Sequence, residues 1–240
     1  MTSRLRPAAA VRVGILSAVF LVASVGSSSA RTGWSSGNGI ASESTQSILA
    51  ATVKAADSLR TVRVYGTVNE DGSKVGLNLS LRAGVGSQGS LTLSGHTVQL
   101  VTLGKTVYLK GDAAFWKSFG NSAVASLLAG KWLAAPATGS FASIAKLGTL
   151  TDLFNTTFSS HGKLVKSATT KVDGVAAIGL RDTTNGGTLY VATTGKPYPL
   201  ELVKSGTKSG GALTFTGFNA PLEISAPKGA ISLGQLKSAG

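Results

Sequence analysis

Residues equipped for chemistry are few in this chain, and their spacing seldom suits a reaction. Gly33-Trp34-Ser35-Ser36-Gly37 has the G-x-S-x-G spacing of a serine nucleophile, but such a serine works on a sharp strand-to-helix turn, and this stretch lies in a Gly/Ser-rich segment. A serine hydrolase also needs a histidine and an acid held in place. The two histidines, His96 and His161, fall at a sheet turn and after a helix. They lack metal-ligand spacing relative to each other and have no carboxylate cluster beside them. Glu70 and Asp71 are adjacent in a turn, where acids hydrogen-bond nearby backbone. Residues 84–89, "GVGSQG", match a dinucleotide fingerprint, yet "SLTLSG" follows as a strand where a helix N-terminus must receive the phosphate. They read as a glycine-rich hairpin turn. With no cysteine, disulfides, zinc–thiolate sites and thiol catalysis are excluded. The expectation is a protein without enzyme activity, cofactor or metal.

The elements around these residues follow from hydrophobic period. Ile48, Leu49, Val53, Ala56 and Leu59 recur at three and four residues, the mark of an amphipathic helix. After Arg60 the period becomes two. "TVRVYGTV" and "VGLNLSLR" alternate about the turn "NEDGS", and "SLTLSG", "HTVQLVTL" and "KTVYLKG" continue the pattern, predicting about five antiparallel strands. Residues 112–129 then read as one or two short helices that Asp112 can cap. "KWLAAP" is a brief extended piece, and "SFASIAKLG" and "TLTDLFNTTFSS" are helical. From Gly162 five further strands follow, through "GKLVKSATTKV", "VAAIGLRD", "GGTLYVATTG", "YPLELVKSG" and "GALTFTGFNAP". The fold class is therefore α+β, a largely antiparallel sheet with a helical insert that covers its apolar face. That face is predicted to carry Leu79, Leu93, Leu100, Leu189, Leu202 and Phe215, with Asn78, Gln99 and Glu201 facing water.

Residues 1–30 carry Arg4, Arg6 and Arg12, then an apolar stretch from Val13 to Val25, then Ser28-Ser29-Ala30. This is the layout of an export signal, with too short an apolar run for the ~20 residues of a membrane span. The domain expectations are a signal over 1–30, a Gly/Ser-rich linker over 31–43, one domain over 44–227 and a loose tail over 228–240. Removing the signal lowers the formal charge of +13 by three. The remaining cations come singly, with no basic run of the kind that marks a nucleic-acid arm. Outside the cytoplasm such a surface favours anionic lipid head groups or acidic wall polymers.

The order of elements, with "VNEDG", "VYLKGDAAFWKSFG", "GKWLAAP" and the closing "ALTFTGFNAPLEISAP", resembles the actinobacterial lipoproteins of the LppX/LprG type, relatives of the LolA/LolB carriers. One departure is at Ser27. Ser24-Val25-Gly26-Ser27 is similar to a lipoprotein processing site, with serine where the acylated cysteine stands. The resemblance implies a curved antiparallel half-barrel whose concave face is lidded by helices around a cavity for acyl chains. Its implied lining is Leu79, Leu81, Leu93, Leu100, Leu189, Leu202 and Phe215 from the sheet. From the insert it takes Phe115, Trp116, Leu128, Trp132, Phe141, Phe154 and Phe158, with Phe115 and Trp116 open to two readings, rings at the mouth of a lidded cavity or the plug of an ordinary core. The implied function is an exported carrier or chaperone of lipids, glycolipids or lipidated molecules, secreted or held at the cell envelope, with an uncleaved N-terminal signal as anchor the lesser alternative. The alternative is an envelope sensor or interaction module with the same fold. The implied partners are a lipid or glycolipid and an anionic membrane surface or envelope protein, with no nucleic acid, and the chain is expected to be a monomer.

Overall fold

In the computed structural model, residues 37–70, 72–119, 122–146, 149, 161–206 and 210–238 are described. Helix α1 (Thr45–Asp57) leads into five strands: β1 (Thr61–Glu70), β2 (Ser73–Arg82), β3 (Gly86–Leu93), β4 (His96–Leu103) and β5 (Thr106–Lys110). Helices α2 (Ala113–Phe119) and α3 (Ser122–Leu128), strand β6 (Leu133–Pro136) and helix α4 (Ala142–Lys146) form the insert. A second run follows: β7 (Leu164–Val172), β8 (Val175–Asp182), β9 (Thr188–Ala192), β10 (Pro199–Lys204) and β11 (Gly211–Thr216). The chain closes with β12 (Ile231–Ser232) and helix α5 (Leu233–Ser238).

The twelve strands of the described residues form one open, curved sheet in the order β12-β6-β5-β4-β3-β2-β1-β11-β10-β9-β8-β7. Every pairing is antiparallel except β12 on β6. The two runs meet where β1 pairs with β11, from Arg63 opposite Thr216 to Val68 opposite Gly211. Because side chains alternate between faces, the register writes the apolar face as rows across the strands. One row runs Leu180, Leu189, Leu202, Leu213, Gly66, Leu77, Leu91, Val98. A neighbouring row runs Phe215, Val64, Leu79, Gly89, Leu100, Leu109, Leu133. Leu79 is 1% exposed while its neighbour Asn78 is exposed, so the alternation is as the sequence period requires.

Gly66 and Gly89 stand in these rows for a steric reason. Both have φ 149°, a conformation open to glycine, and a Cβ added at either would lie 2.0 Å from the carbonyl oxygen of the neighbouring strand, that of Ala212 or Asn78. Each lets two backbones approach more closely than any side chain allows, which fits a sheet that must bend. The hairpins obey turn chemistry as well. Ser94-Gly95 and Asp173-Gly174 put both loop residues at positive φ (50° and 83°, 47° and 81°), the condition for a two-residue turn matched to strand twist. Of "GVGSQG", residues 84 and 85 lie in the turn and Gly86 opens β3.

Ser44 caps α1, its Oγ accepting the Ser47 N–H at 3.1 Å. The helix buries Ile48, Thr52, Ala55 and Ala56, and the Thr52 hydroxyl donates to the Ile48 carbonyl at 2.8 Å. Helices α2 and α3 add Phe115, Trp116, Ala125 and Leu128 to the same core. On the opposite face of the sheet a small second cluster joins Ala177, Ala192 and Leu200. The free edge, β7, carries Lys166 and Lys171 and a register shift between Lys166 and Thr169, devices that keep an edge from pairing with another sheet.

Both ends differ from the sequence expectation. In the stretch read as linker, Gly37 bridges Thr194, Asn38 N–H donates to the Thr193 carbonyl at 2.8 Å, and Ile40 is buried. The stretch read as a loose tail supplies β12, paired with β6, and α5. Ser232 and Gln235 cap α5 reciprocally, Ser232 N–H donating to Gln235 Oε1 and Gln235 N–H to Ser232 Oγ. The helical reading of "TLTDLFNTTFSS" lies outside the described residues.

Replacing Gly89 by alanine should cost at least about 2 kcal/mol, since a strained backbone alone costs of order 1–3 kcal/mol and here a carbonyl must also move. Urea unfolding against Ser90→Ala, one position along β3, is the check. Equal stability of the two variants would remove the steric role assigned to Gly89.

Candidate functional site

Where α1 crosses the second run of strands, the described residues cover the apolar face only in part. Leu49 projects from α1 beside the buried stripe, and beneath it Leu164, Leu180, Leu189 and Leu202 come from β7, β8, β9 and β10. Together they line a cavity of about 150 Å3. A wider, open groove of about 670 Å3 continues along α1 past Ala50 and Val53, sharing Leu49, His161 and Leu164 with the cavity. Lys204, Asn185 and Asp182 edge the cavity, and Lys54, Asp57 and Lys163 edge the groove.

The loop between β8 and β9 is held at this rim by one carboxylate. Asp182 Oδ1 accepts the backbone N–H groups of Thr184 and Asn185, each at 2.8 Å, and Oδ2 accepts that of Gly162 at 2.8 Å. The Asn185 and Gly162 bonds hold the carboxyl down at about 2, from an ordinary 3.8. Since three backbone N–H groups and the Asn185 side-chain amide donate to it, Asp182 serves as a clip between two loops. His161 Nδ1 lies 2.9 Å from the Gly162 carbonyl oxygen, so neither titratable group orients the other. The site offers contact area for an apolar chain and a polar edge at which that chain would end.

In sequence, no protein-family description and no curated protein matches this chain. In structure the likeness is broad. LprF from Mycobacterium bovis superposes with a TM-score of 0.55 at 15% identity, over 77% of this chain and 97% of that one. The Mycobacterium tuberculosis lipoprotein LppX does so with a TM-score of 0.52 at 15% identity, over 76% of this chain and all of that one. This chain has the LppX/LprF fold.

Within the LppX/LprF fold the fourteen residues implied by the resemblance separate into groups. Leu189 and Leu202 line the cavity. Leu79, Leu81, Leu100, Phe115, Trp116, Leu128 and Phe215 are buried in the continuous core at 0–4% exposure, and Leu93 and Phe141 pack half-buried against it. Trp132 sits on the other face of the sheet, because Leu133 beside it points inward opposite Leu109 and the parity of the strand turns Trp132 outward. Phe154 and Phe158 lie outside the described residues. Leu49, Leu164 and Leu180 were not singled out as lining. A signal for Leu49 was present, since α1 carries more apolar residues than one stripe can bury and Leu49 and Val53 are the surplus.

The two aromatics of α2 are core residues by placement. Asp112 Oδ1 accepts the Phe115 N–H at 2.7 Å, and the Phe115 and Trp116 rings meet edge to face at 4.9 Å. Trp116 is 4% exposed, and its Nε1–H is buried with no hydrogen-bond partner among the described residues. An unmet buried donor costs about 1–3 kcal/mol. Trp116→Ala should therefore lose about 3–5 kcal/mol, as large aromatic truncations do, and Trp116→Phe should lose far less because it deletes the unmet donor along with part of the ring. Denaturant unfolding of the two variants distinguishes them, and equal losses would show that the indole N–H is satisfied in solution.

The Asp182 clip carries its own pH signature. A carboxyl lowered from 3.8 to about 2 on folding contributes stability that is complete above pH 3.8 and is lost as pH falls toward 2. Thermal melts of Asp182→Asn should lack the part of the wild-type pH dependence that falls in this window. An unchanged profile would mean that the loop bonds are not formed in solution.

Proposed function

We propose that this protein is an exported, non-catalytic carrier of lipids, glycolipids or lipidated molecules, which holds an acyl chain between α1 and the sheet. The observation that carries the reading is the leucine-lined cavity, because its floor continues the apolar rows of the core and its rim is polar. Burying a methylene is worth ~0.8 kcal/mol, so a sixteen-carbon chain gains on the order of 10 kcal/mol. Against this stand association costs of about 4–15 kcal/mol. A net affinity then requires most of the chain to be covered.

The cavity of about 150 Å3 is smaller than the roughly 300–1,000 Å3 of ordinary ligand pockets. Loading therefore calls for the chain to run on into the groove along α1, or for α1 to lift from the sheet. Leu49 and Val53 are already half-buried along that path. The fold shared with LppX and LprF agrees with this reading, as does the export layout of residues 1–30. Serine at position 27, where the acylated cysteine would stand, supports a chain that is secreted or wall-associated unless its signal stays uncleaved.

Filling the cavity tests the proposal. Leu202→Trp places a large ring in the space and should weaken binding of a fluorescent fatty acid at least tenfold, about 1.4 kcal/mol, with little change in unfolding midpoint. Native mass spectrometry of protein purified from its own host should show retained lipid in the wild type and less in the variant. Wild-type protein recovered empty and unresponsive to the fatty acid, but with a tight protein partner, would overturn the carrier reading in favour of a sensor.

A further inference from the structure

The opposite face of the sheet holds a second concavity, remote from α1. It is an open groove of about 510 Å3 that crosses β1 to β4 and ends at Trp132, just before β6. Its walls come from Asn78, Ser80, Gln88, Ser90 and Gln99, with Arg63 the single charged side chain among the described residues that line it. In a chain with 23 lysines and arginines, this groove is lined mainly by amides and hydroxyls.

The register makes this groove an ordered array. Tyr65, Asn78, Ser90, Gln99 and Lys110 stand opposite one another on β1 to β5, in one outward row. Trp132 adjoins Leu133, the partner of Leu109, and so extends the same row beyond Lys110. Four strand spacings of ~4.8 Å give this row a span of roughly 19 Å from Tyr65 to Lys110. Half-buried aromatics thus stand toward both ends of a line of amides and hydroxyls. Beside it runs the row Arg63, Ser80, Gln88, Val101, Tyr108. There Val101 is only 8% exposed and supplies an apolar floor. Arg63 is braced, its Nε donating to Asn78 Oδ1 at 3.1 Å and its guanidinium lying 5.4 Å from the Tyr65 ring centre.

We propose that this outer groove, bounded by Trp132 and Arg63 and lined by Asn78, Ser80, Gln88, Ser90 and Gln99, binds an uncharged polysaccharide chain. Sugar rings present hydroxyls that both donate and accept, and each Asn or Gln amide does the same with two N–H donors and a carbonyl acceptor. Their C–H faces match the flat faces of Trp and Tyr, which combine a large apolar surface with a polar tip. Strand faces that bind oligosaccharides occur in other folds. A nucleic acid fits less well, because phosphate binding needs several cations and the array offers two, Arg63 in the groove and Lys110 beside Trp132. A protein partner fits less well too, because stable interfaces are built on an apolar centre with aromatic anchors, and here the centre is amide and hydroxyl. The proposal does not depend on lipid binding, which uses the other face.

Native gels cast with soluble mannan, galactan or β-glucan test it. The full chain should be retarded by at least one of these polymers, and Trp132→Ala and the double variant Asn78→Ala/Gln99→Ala should lose at least tenfold in apparent affinity. Leu202→Trp, in the leucine cavity, should be retarded as strongly as wild type. Circular dichroism verifies folding, and Gln99→Lys, at an exposed position, replaces any variant that fails to fold. Unchanged mobility in all three polymers overturns the proposal, and so does wild-type retardation of Trp132→Ala. Retardation only in a gel containing RNA, abolished by salt, overturns it in favour of electrostatic binding.

Discussion

Everything in this structure depends on the ladder between β1 and β11. It joins residues about 150 positions apart in the chain, placing Val64 opposite Phe215 and Gly66 opposite Leu213. Without it there are two five-strand meanders, each with a short apolar face. With it there is one face, whose rows run unbroken from Leu180 to Val98. A one-residue slip in this ladder would turn half of the face to water, so the register of β1 on β11 decides whether a common core exists. The glycine at the join lets the two backbones approach closely enough for the ladder to close.

An open sheet with one apolar face must be covered, and the cover is unequal. Helices α2 and α3 bring Phe115, Trp116, Ala125 and Leu128 down onto the first run, where the core is closed. The second run has α1, which buries Ile48, Thr52, Ala55 and Ala56 and leaves Leu49 and Val53 at its flank. Among the described residues, the cavity is what one helix laid across several strands leaves open. On the outer face the same alternation, read in the other parity, produces the amide and hydroxyl array. Both sites are products of a single register.

Strand order within each run was legible in the sequence, because period-two alternation broken by Gly-marked turns admits few other readings. The two-residue loops at Ser94-Gly95 and Asp173-Gly174 were legible for the same reason. The face taken by Trp132 was not, because "KWLAAP" is too short to show a period, and its parity is set by pairing with β5. Residues 37–43 were hidden by their composition. Gly, Ser and Asn suit a linker, but Asn38 reaches the Ala192 and Gly195 carbonyls with its side-chain amide. The C-terminal helix did carry a readable mark, the Ser-x-x-Gln spacing at 232–235, which a Gly/Ala/Ser-rich background obscured. Of the candidate site, the leucines of β9 and β10 were legible by alternation, whereas Leu164 and Leu180 became lining only through long-range packing under α1.

The attachment of the segment before α1 has a mechanical consequence. Lys166 on the edge strand donates through Nζ to the carbonyls of Ala41 and Glu43, at 3.1 and 2.8 Å, and Gly37 and Asn38 are stitched to the loop after β9. A force applied ahead of residue 37 therefore enters the domain at β7, whose Leu164 lines the leucine cavity, and at Thr193, just past the end of β9. It does not first reach the closed core under α2 and α3. These few bonds would be loaded one after another, as in unzipping, and the long β1–β11 ladder would be spared. Tension from the N-terminal side would open the cavity end of the sheet before it threatened the fold.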